Sequence, residues 1–383
     1  MDPTAMRVAL FAGNYNYVRD GATQTLNRLV EYLLRKGVAV RIYSPVVKAP
    51  AFEPQGEMVH VPALRIPGRW EYRYPMGLPR RVRKDLEKFD PNVVHIASPD
   101  ITAHRAVTWA RKRDIARVAS VHTRFETYFQ YYHLGWAEPW ARAGLRRLYQ
   151  RCDALVAPAQ STVDVLYAQR MNDDISIWSR GIDREQFNPE RRDMGWRRDL
   201  GIGDDEMVIS FLGRIVMEKG LDVFADTIRA LKDRDVPHRV LVIGDGPHRD
   251  WFEDALPDSA VFVGHQEGPD LARALASSDV FFNPSITETF GNVTLEAMAC
   301  ALPVVAISAT GSSSLVQDGV NGQLARPGNV DTMADAIAAY QESPELRQRH
   351  GRKGLEMARD RDWDTINNAV LDVYARCIAK HRD

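Results

Sequence analysis

Two glutamates, Glu288 and Glu296, stand out in the run Phe282-Asn283-Pro284-Ser285-Ile286-Thr287-Glu288-Thr289-Phe290-Gly291-Asn292-Val293-Thr294-Leu295-Glu296-Ala297-Met298-Ala299. The run reads as a strand ending at Pro284, a loop carrying Glu288 and a helix starting near Asn292. Free backbone N–H groups at such a helix start, together with the helix dipole, make an anion site. Gly291 lets the backbone approach a ligand closely. Ionised carboxylates only accept hydrogen bonds, so Glu288 and Glu296 suit hydroxyls on either side of a bound phosphate. Taken singly, Glu296 also reads as a solvated helix glutamate and Glu288 as an ordinary loop charge. The run as a whole points to a ligand with both phosphates and hydroxyls.

A second run, Phe211-Leu212-Gly213-Arg214-Ile215-Val216-Met217-Glu218-Lys219-Gly220, follows another apolar strand and precedes a helix. Arg214 and Lys219 there can neutralise a diphosphate and stabilise the charge that grows on it as it leaves. Lys219 alone would pass for a solvated loop cation. Nearer the start, Asp20-Gly21 closes the loop Gly13–Gly21, readable as a plain turn or as a phosphate contact. His122, in Ser120-Val121-His122-Thr123, follows a strand and reads singly as a structural histidine or a cleft residue; Asp100, after Val94-His95-Ile96, is a candidate on the acceptor side.

These loops need strands to carry them. Val8–Ala12, Ala39–Tyr43, Val93–Ile96, Val118–Val121 and Ala154–Ala157 are apolar runs of buried-strand type. Helical spacing separates them at Thr23–Arg35, Thr102–Arg113 and Ser161–Arg170. The alternation restarts with Met207–Leu212, Arg239–Ile243, Ala260–Val263, Val280–Asn283 and Val304–Ile307, between the helices Leu221–Lys232, Leu271–Ala276 and Val293–Ala299. The fold class predicted is α/β, with two Rossmann-like doubly wound domains facing across a cleft. The boundaries fall at residues 6–181 and 182–363, with Gly181–Arg198 as a polar linker and a last helix within 364–383 returning to the first domain. Open α/β sheets bind ligands at the carboxyl ends of their strands, where the residues named above lie.

The pair Glu288–Glu296 inside ETFGNVTLEAMA, together with GRIVMEKG, resembles glycosyltransferase family 4, whose members are retaining enzymes of the two-domain GT-B fold. VHIASPD, SVHT, SRGIDREQFNP, VIGDGP, FVGHQE and LVQDGVNGQLARPGN extend the likeness over nearly the whole chain, in order. The resemblance implies that Glu296 binds the donor ribose, and that Glu288 with the backbone of Phe290, Gly291, Asn292 and Val293 holds the transferred sugar. It places Arg214 and Lys219 on the diphosphate, the Gly21 N–H on its other side, His122 beside the sugar, and the base near Gly244, Gly264 and His265. A catalytic set of His122, Arg214, Lys219 and Glu288 follows, with the leaving diphosphate taking the acceptor proton on the same face. The donor is a nucleotide sugar (UDP- or GDP-linked), the acceptor a lipid or glycan, with no further cofactor and no protein-bound metal. Two departures from the family pattern bear on donor choice: Ser314 where relatives carry glutamate, and Asn292 where many carry an apolar residue.

Composition sets the outer limits. With 45% apolar and 26% charged residues, 383 positions suit two globular domains, and no apolar run is long enough to span a bilayer. Three scattered cysteines and no evident signal peptide fit a cytoplasmic protein. The net charge of −1 conceals a basic half: residues 1–180 hold 27 Lys and Arg against 17 Asp and Glu, the remainder 23 against 34. Aromatics in Arg124–Trp136 and a basic amphipathic helix at Trp140–Arg151, with the segment Arg65–Lys88, predict peripheral contact with an anionic membrane at its inner face. A packed aromatic core under a solvated Arg face is the alternative. No nucleic-acid partner is indicated.

Other functions are separable. A nicotinamide-dependent oxidoreductase is disfavoured because Gly244-Asp245-Gly246-Pro247-His248-Arg249 lacks the third glycine and opens no initial βαβ unit. A nucleotide-sugar epimerase would share the fold and release free nucleotide. A silent nucleotide-sugar binder would have no need of Glu288, Glu296, Arg214 and Lys219 together.

Overall fold

The computed structural model describes residues 2–18, 21–66, 69–122, 136, 138–288, 290–309 and 311–381, with backbone alone at 66 and 69–72. The chain forms two compact units, Met1–Arg180 with Trp363–Asp383, and Gly181–Asp362.

In the first unit the strands are β1 (Arg7–Phe11), β2 (Ala39–Ser44), β3 (Glu57–His60), β4 (Ala63–Ile66), β5 (Arg69–Pro75), β6 (Val93–Ile96), β7 (Ala116–Ser120), β8 (Ala154–Ala157) and β9 (Ile175–Ile177). Seven form a parallel sheet in the order β3-β2-β1-β6-β7-β8-β9, while β4 and β5 pair antiparallel by themselves. Side chains alternate across the sheet, which explains two cores rather than one. Val8, Leu10, Val40, Ile42, Val118 and Val156 pack on helix Gly21–Arg35 and on Val370, Val373, Tyr374 and Ile378 of helix Trp363–Ala379. Ala9, Phe11, Tyr43, Val94, Ile96 and Leu155 face helices Arg80–Phe89, Ile101–Arg111, Glu138–Tyr149 and Gln160–Ala168. Burial on both faces is what makes these strands continuous apolar runs.

The second unit holds β10 (Val208–Leu212), β11 (Arg239–Ile243), β12 (Val261–Gly264), β13 (Val280–Asn283), β14 (Val304–Ile307) and β15 (Gly322–Ala325). All are parallel, in the order β12-β11-β10-β13-β14-β15. The order reverses between β10 and β13 here, and between β1 and β6 in the first unit. Such reversals leave a crevice at the strands' carboxyl ends.

The stretch Gly181–Arg198 corrects one expectation. It is part of the second unit rather than a free linker, and it contains helix Met194–Asp199. Arg197, fully buried, donates to Asp279 Oδ2 at 2.9 Å and to the carbonyls of Gly203 and Glu206 at 3.0 and 2.6 Å. Arg192 reaches Asp279 Oδ1 at 2.8 Å, so apparent linker polarity is a buried ionic seam.

Candidate active site

In the second unit the loops after β10 and β13 meet at the switch point. Lys219 Nζ donates to Glu288 Oε1 at 2.6 Å, and Thr287 Oγ1 donates to the Glu218 carbonyl at 3.1 Å. Gly220 has φ +76°, and a Cβ there would stand 2.7 Å from the Pro284 carbonyl oxygen. Only glycine lets the loops close to that distance. Gly311 approaches equally closely, since its Cβ would lie 2.7 Å from the Glu288 carbonyl oxygen.

The loop after β11 is seated by the same device. A Cβ on Gly244 (φ +144°) would fall 1.9 Å from the Gly213 carbonyl, and the Gly244 N–H donates to the Gly264 carbonyl at 2.9 Å. Gly264 ends β12, and beside it His265 is exposed, its Nε2 2.9 Å from Glu267 Oε1. Arg214 is exposed in the loop after β10.

Helix Asn292–Ala299 begins on Gly291 in the left-handed region (φ +95°), with no side chain capping it. Its first turn thus has no side-chain cap, the arrangement of an anion site. Phe290 is buried, with the Arg361 guanidinium 5.5 Å over its ring. Nothing in the spacing of the chain announces that contact. Asn292, Val293 and Glu296 are each partly buried on the first turns. The Glu296 carboxylate makes no hydrogen bond among the described residues. Burial first, and then the charge of Glu288, push its pKa up to about 8. Without ligand, burial thus favours the protonated form of Glu296 far more than in an ordinary glutamate.

The first unit gathers its own strand ends. Gly21 is the exposed first residue of helix Gly21–Arg35, and its carbonyl accepts from Thr25 Oγ1 at 2.6 Å. Asp20 lies outside the described residues, as does the aromatic stretch 124–135. Asp100 is buried and caps helix Ile101–Arg111: Oδ1 accepts from Ala103 N at 2.9 Å and Oδ2 from Ser98 Oγ at 2.7 Å. Ser98 Oγ in turn accepts from Gly13 N at 2.6 Å. Asp100 thus serves as the helix cap, each carboxylate oxygen accepting one hydrogen bond.

His122 is similarly occupied. Arg180 Nη2 donates to its Nδ1 at 3.0 Å, which puts the ring proton on Nε2, 2.9 Å from Ser120 Oγ. Its ring meets the edge of Trp178 at 5.2 Å. Burial, reinforced by Arg180 and His95, holds its pKa well below the ordinary histidine value. His122 is thus a neutral imidazole fixed in one orientation at the end of β7. Arg180, in the run SRGID, was legible only as part of a motif; its contact with His122 spans 58 positions.

Comparisons with known proteins give the family and the fold. Residues 19–186 match the family described as Glycosyltransferase Family 4, and residues 206–343 match Glycosyl transferases group 1. A GDP-mannose-dependent alpha-mannosyltransferase of Mycolicibacterium smegmatis is 32% identical across 98% of this chain and 98% of its own. Another, from Corynebacterium glutamicum, is 29% identical across 98% and 90%. Sucrose-phosphate synthase of Thermosynechococcus elongatus shares the fold with a TM-score of 0.81, at 18% identity, over 98% of this chain and 100% of that one. Two Rossmann-like units of this kind make up the GT-B fold. The chain belongs to glycosyltransferase family 4, as an enzyme of the hexosyltransferase type that uses a nucleotide-sugar donor.

Proposed function

We propose that this enzyme transfers mannose from GDP-mannose to a lipid or glycan acceptor, with retention at the anomeric carbon. The carrying observation is the Lys219–Glu288 pair at 2.6 Å beside the uncapped start of helix Asn292–Ala299. A cation, a carboxylate and open N–H groups there match a diphosphate joined to a sugar. Glu296, one turn further, takes the ribose hydroxyls. Gly244, Gly264 and His265 line the base pocket, and Gly21 offers its N–H to the diphosphate. Arg214 and Lys219 supply the charge that a metal would otherwise bring, so no resident cofactor is required. The mannosyltransferase relatives support the donor.

Peripheral attachment at the inner face of a membrane belongs to the same reading. Trp136 and Trp140 are 74% and 78% exposed, and Arg147 is exposed on the helix that carries Trp140. Among the described residues no helix is long and apolar enough to cross a membrane.

The test is thermal protection by UDP-, GDP- and ADP-sugars, followed by product analysis. A ligand at about 100 times its Kd stabilises by roughly 2.7 kcal/mol. GDP-mannose should protect most and yield a mannosylated acceptor. Protection without transfer, or conversion of the donor to free nucleotide and an epimer, would replace this reading.

A further inference from the structure

Three arginines of the described chain are nearly or fully buried: Arg117, Arg180 and Arg197. Arg197 pairs with Asp279 at 2.9 Å and Arg117 with Asp153 at 2.5 Å. Arg180 has no carboxylate within ion-pairing distance among the described residues, although it is only 4% exposed. Its bonds all go to neutral acceptors: Nη1 to the carbonyls of Trp178 and Ser179, both at 3.0 Å, and Nη2 to His122 Nδ1 at 3.0 Å. The guanidinium carbon sits 5.2 Å over the Trp178 ring.

A buried cation without a counter-ion is costly, and proteins ordinarily pair it. Burial pulls the Arg180 pKa down to about 9, the sign expected of an uncompensated charge. A guanidinium carries five N–H donors, and three are used here. The residue follows β9, and its partner His122 follows β7, at the end of the first sheet where α/β folds bind ligands. His122, locked by Ser120 Oγ, holds the fork in a fixed orientation without adding charge of its own.

We propose that Arg180 is a substrate-binding residue whose missing counter-ion is a phosphate oxygen of the substrate. This deepens the nucleotide-sugar reading, on which it rests only for the source of that phosphate. The phosphate comes either from the donor diphosphate or from a phosphate on the acceptor head group, and the guanidinium fork suits both.

Calorimetric titration of the full chain with inorganic pyrophosphate, GDP and sn-glycerol 3-phosphate separates the sources. Arg180→Gln should bind at least one of them about tenfold more weakly or worse, a loss of roughly 1.4 kcal/mol, with Arg180→Lys recovering part. Loss confined to pyrophosphate and GDP assigns the donor; loss confined to glycerol 3-phosphate assigns the acceptor. Unchanged affinity for all three, even with a lowered Tm, overturns the proposal and leaves Arg180 a packing residue. Should the Gln variant not fold, the Arg180 Nε–H resonance of the parent decides: it shifts on adding the anion, or the proposal is wrong. A parent that binds glycerol 3-phosphate through Arg180 but no nucleotide sugar would sink the donor reading and keep this one.

Discussion

Lys219 Nζ and Glu288 Oε1 lie 2.6 Å apart, tying the loop after β10 to the loop after β13 across the reversal of strand order. The ammonium is about a third exposed and the carboxylate nearly covered, with side-chain exposures of 31% and 12%. The cation proposed for the diphosphate thereby also orients the carboxylate proposed for the sugar. The two roles, assigned separately from sequence, are mechanically one.

Lys219→Ala should lower kcat more than it raises KM, because its charge meets a leaving group that grows more negative in the transition state. A loss of about 10²–10³ in kcat is the scale for one such stabilising group. The double variant Lys219→Ala/Glu288→Ala should fall well short of the product of the single effects, since each single change already releases the partner. Arg214→Ala should lower kcat in the same sense. Multiplicative effects for the pair, or weaker donor binding at an unchanged turnover number, would refute the shared role.

Glu296 makes binding and stability depend on pH. Its folded-state pKa is raised from 4.5 to about 8, so between those values the folded protein holds a proton the unfolded chain has lost. Stability from this group is full below the lower value and drains away as pH rises through the upper one. Glu296→Gln should therefore flatten the fall in Tm across that window, and the parent should show the steeper decline. Ribose hydroxyls donate best to the ionised form, so donor binding at neutral pH should expel a proton. Calorimetry of GDP-mannose in buffers of different ionisation enthalpy would read that proton, and Glu296→Gln should abolish it while weakening binding. A buffer-independent enthalpy in the parent would remove Glu296 from the ribose.

The basic first unit should bind anionic vesicles and lose them at high salt. Sedimentation with phosphatidylglycerol-containing and pure phosphatidylcholine liposomes checks this. Replacing Trp136 and Trp140 by Ala should cut retention, because both rings are exposed. Equal binding to both vesicle types would leave the arginines a solvated face.

What the sequence conveyed follows physical lines. Strands such as Val93–Ile96 are buried on both faces, so each is an unbroken apolar run that can be read directly. The loops after them hold Glu288 and Lys219 because strand ends are where ligands bind, and their residue types are therefore informative. Helix Arg80–Phe89 went unread, since only Val82 and Leu86 of its ten residues are buried. The raised pKa of Glu296 depends on packing around it, and the locking of His122 on a residue 58 positions away. Neither leaves a trace in local spacing.

An α-linked donor should give an α-linked product. Inversion needs a general base on the acceptor side, opposite the leaving diphosphate, and removing such a base costs about 10²–10⁴ in rate. Among the described residues of the first unit, Asp100 and His122 are candidates by position, and both already hold partners. Asp100 spends one oxygen on Ala103 N and the other on Ser98 Oγ. His122 has Arg180 on Nδ1 and Ser120 on Nε2, and its pKa is held far below neutrality. On the proposed reading, proton acceptance falls to the diphosphate oxygen itself, on the face the sugar leaves, with Arg214 and Lys219 stabilising the charge. Retention is the outcome expected on that reading. His122→Ala should then disturb Arg180 and substrate affinity without the steep pH-dependent loss of kcat that removing a base produces. The anomeric coupling constant in the proton NMR spectrum of the first product formed decides the stereochemistry. A β-linked product from an α-linked donor would require a base other than these two, and would overturn the mechanism while leaving the two-sheet fold intact.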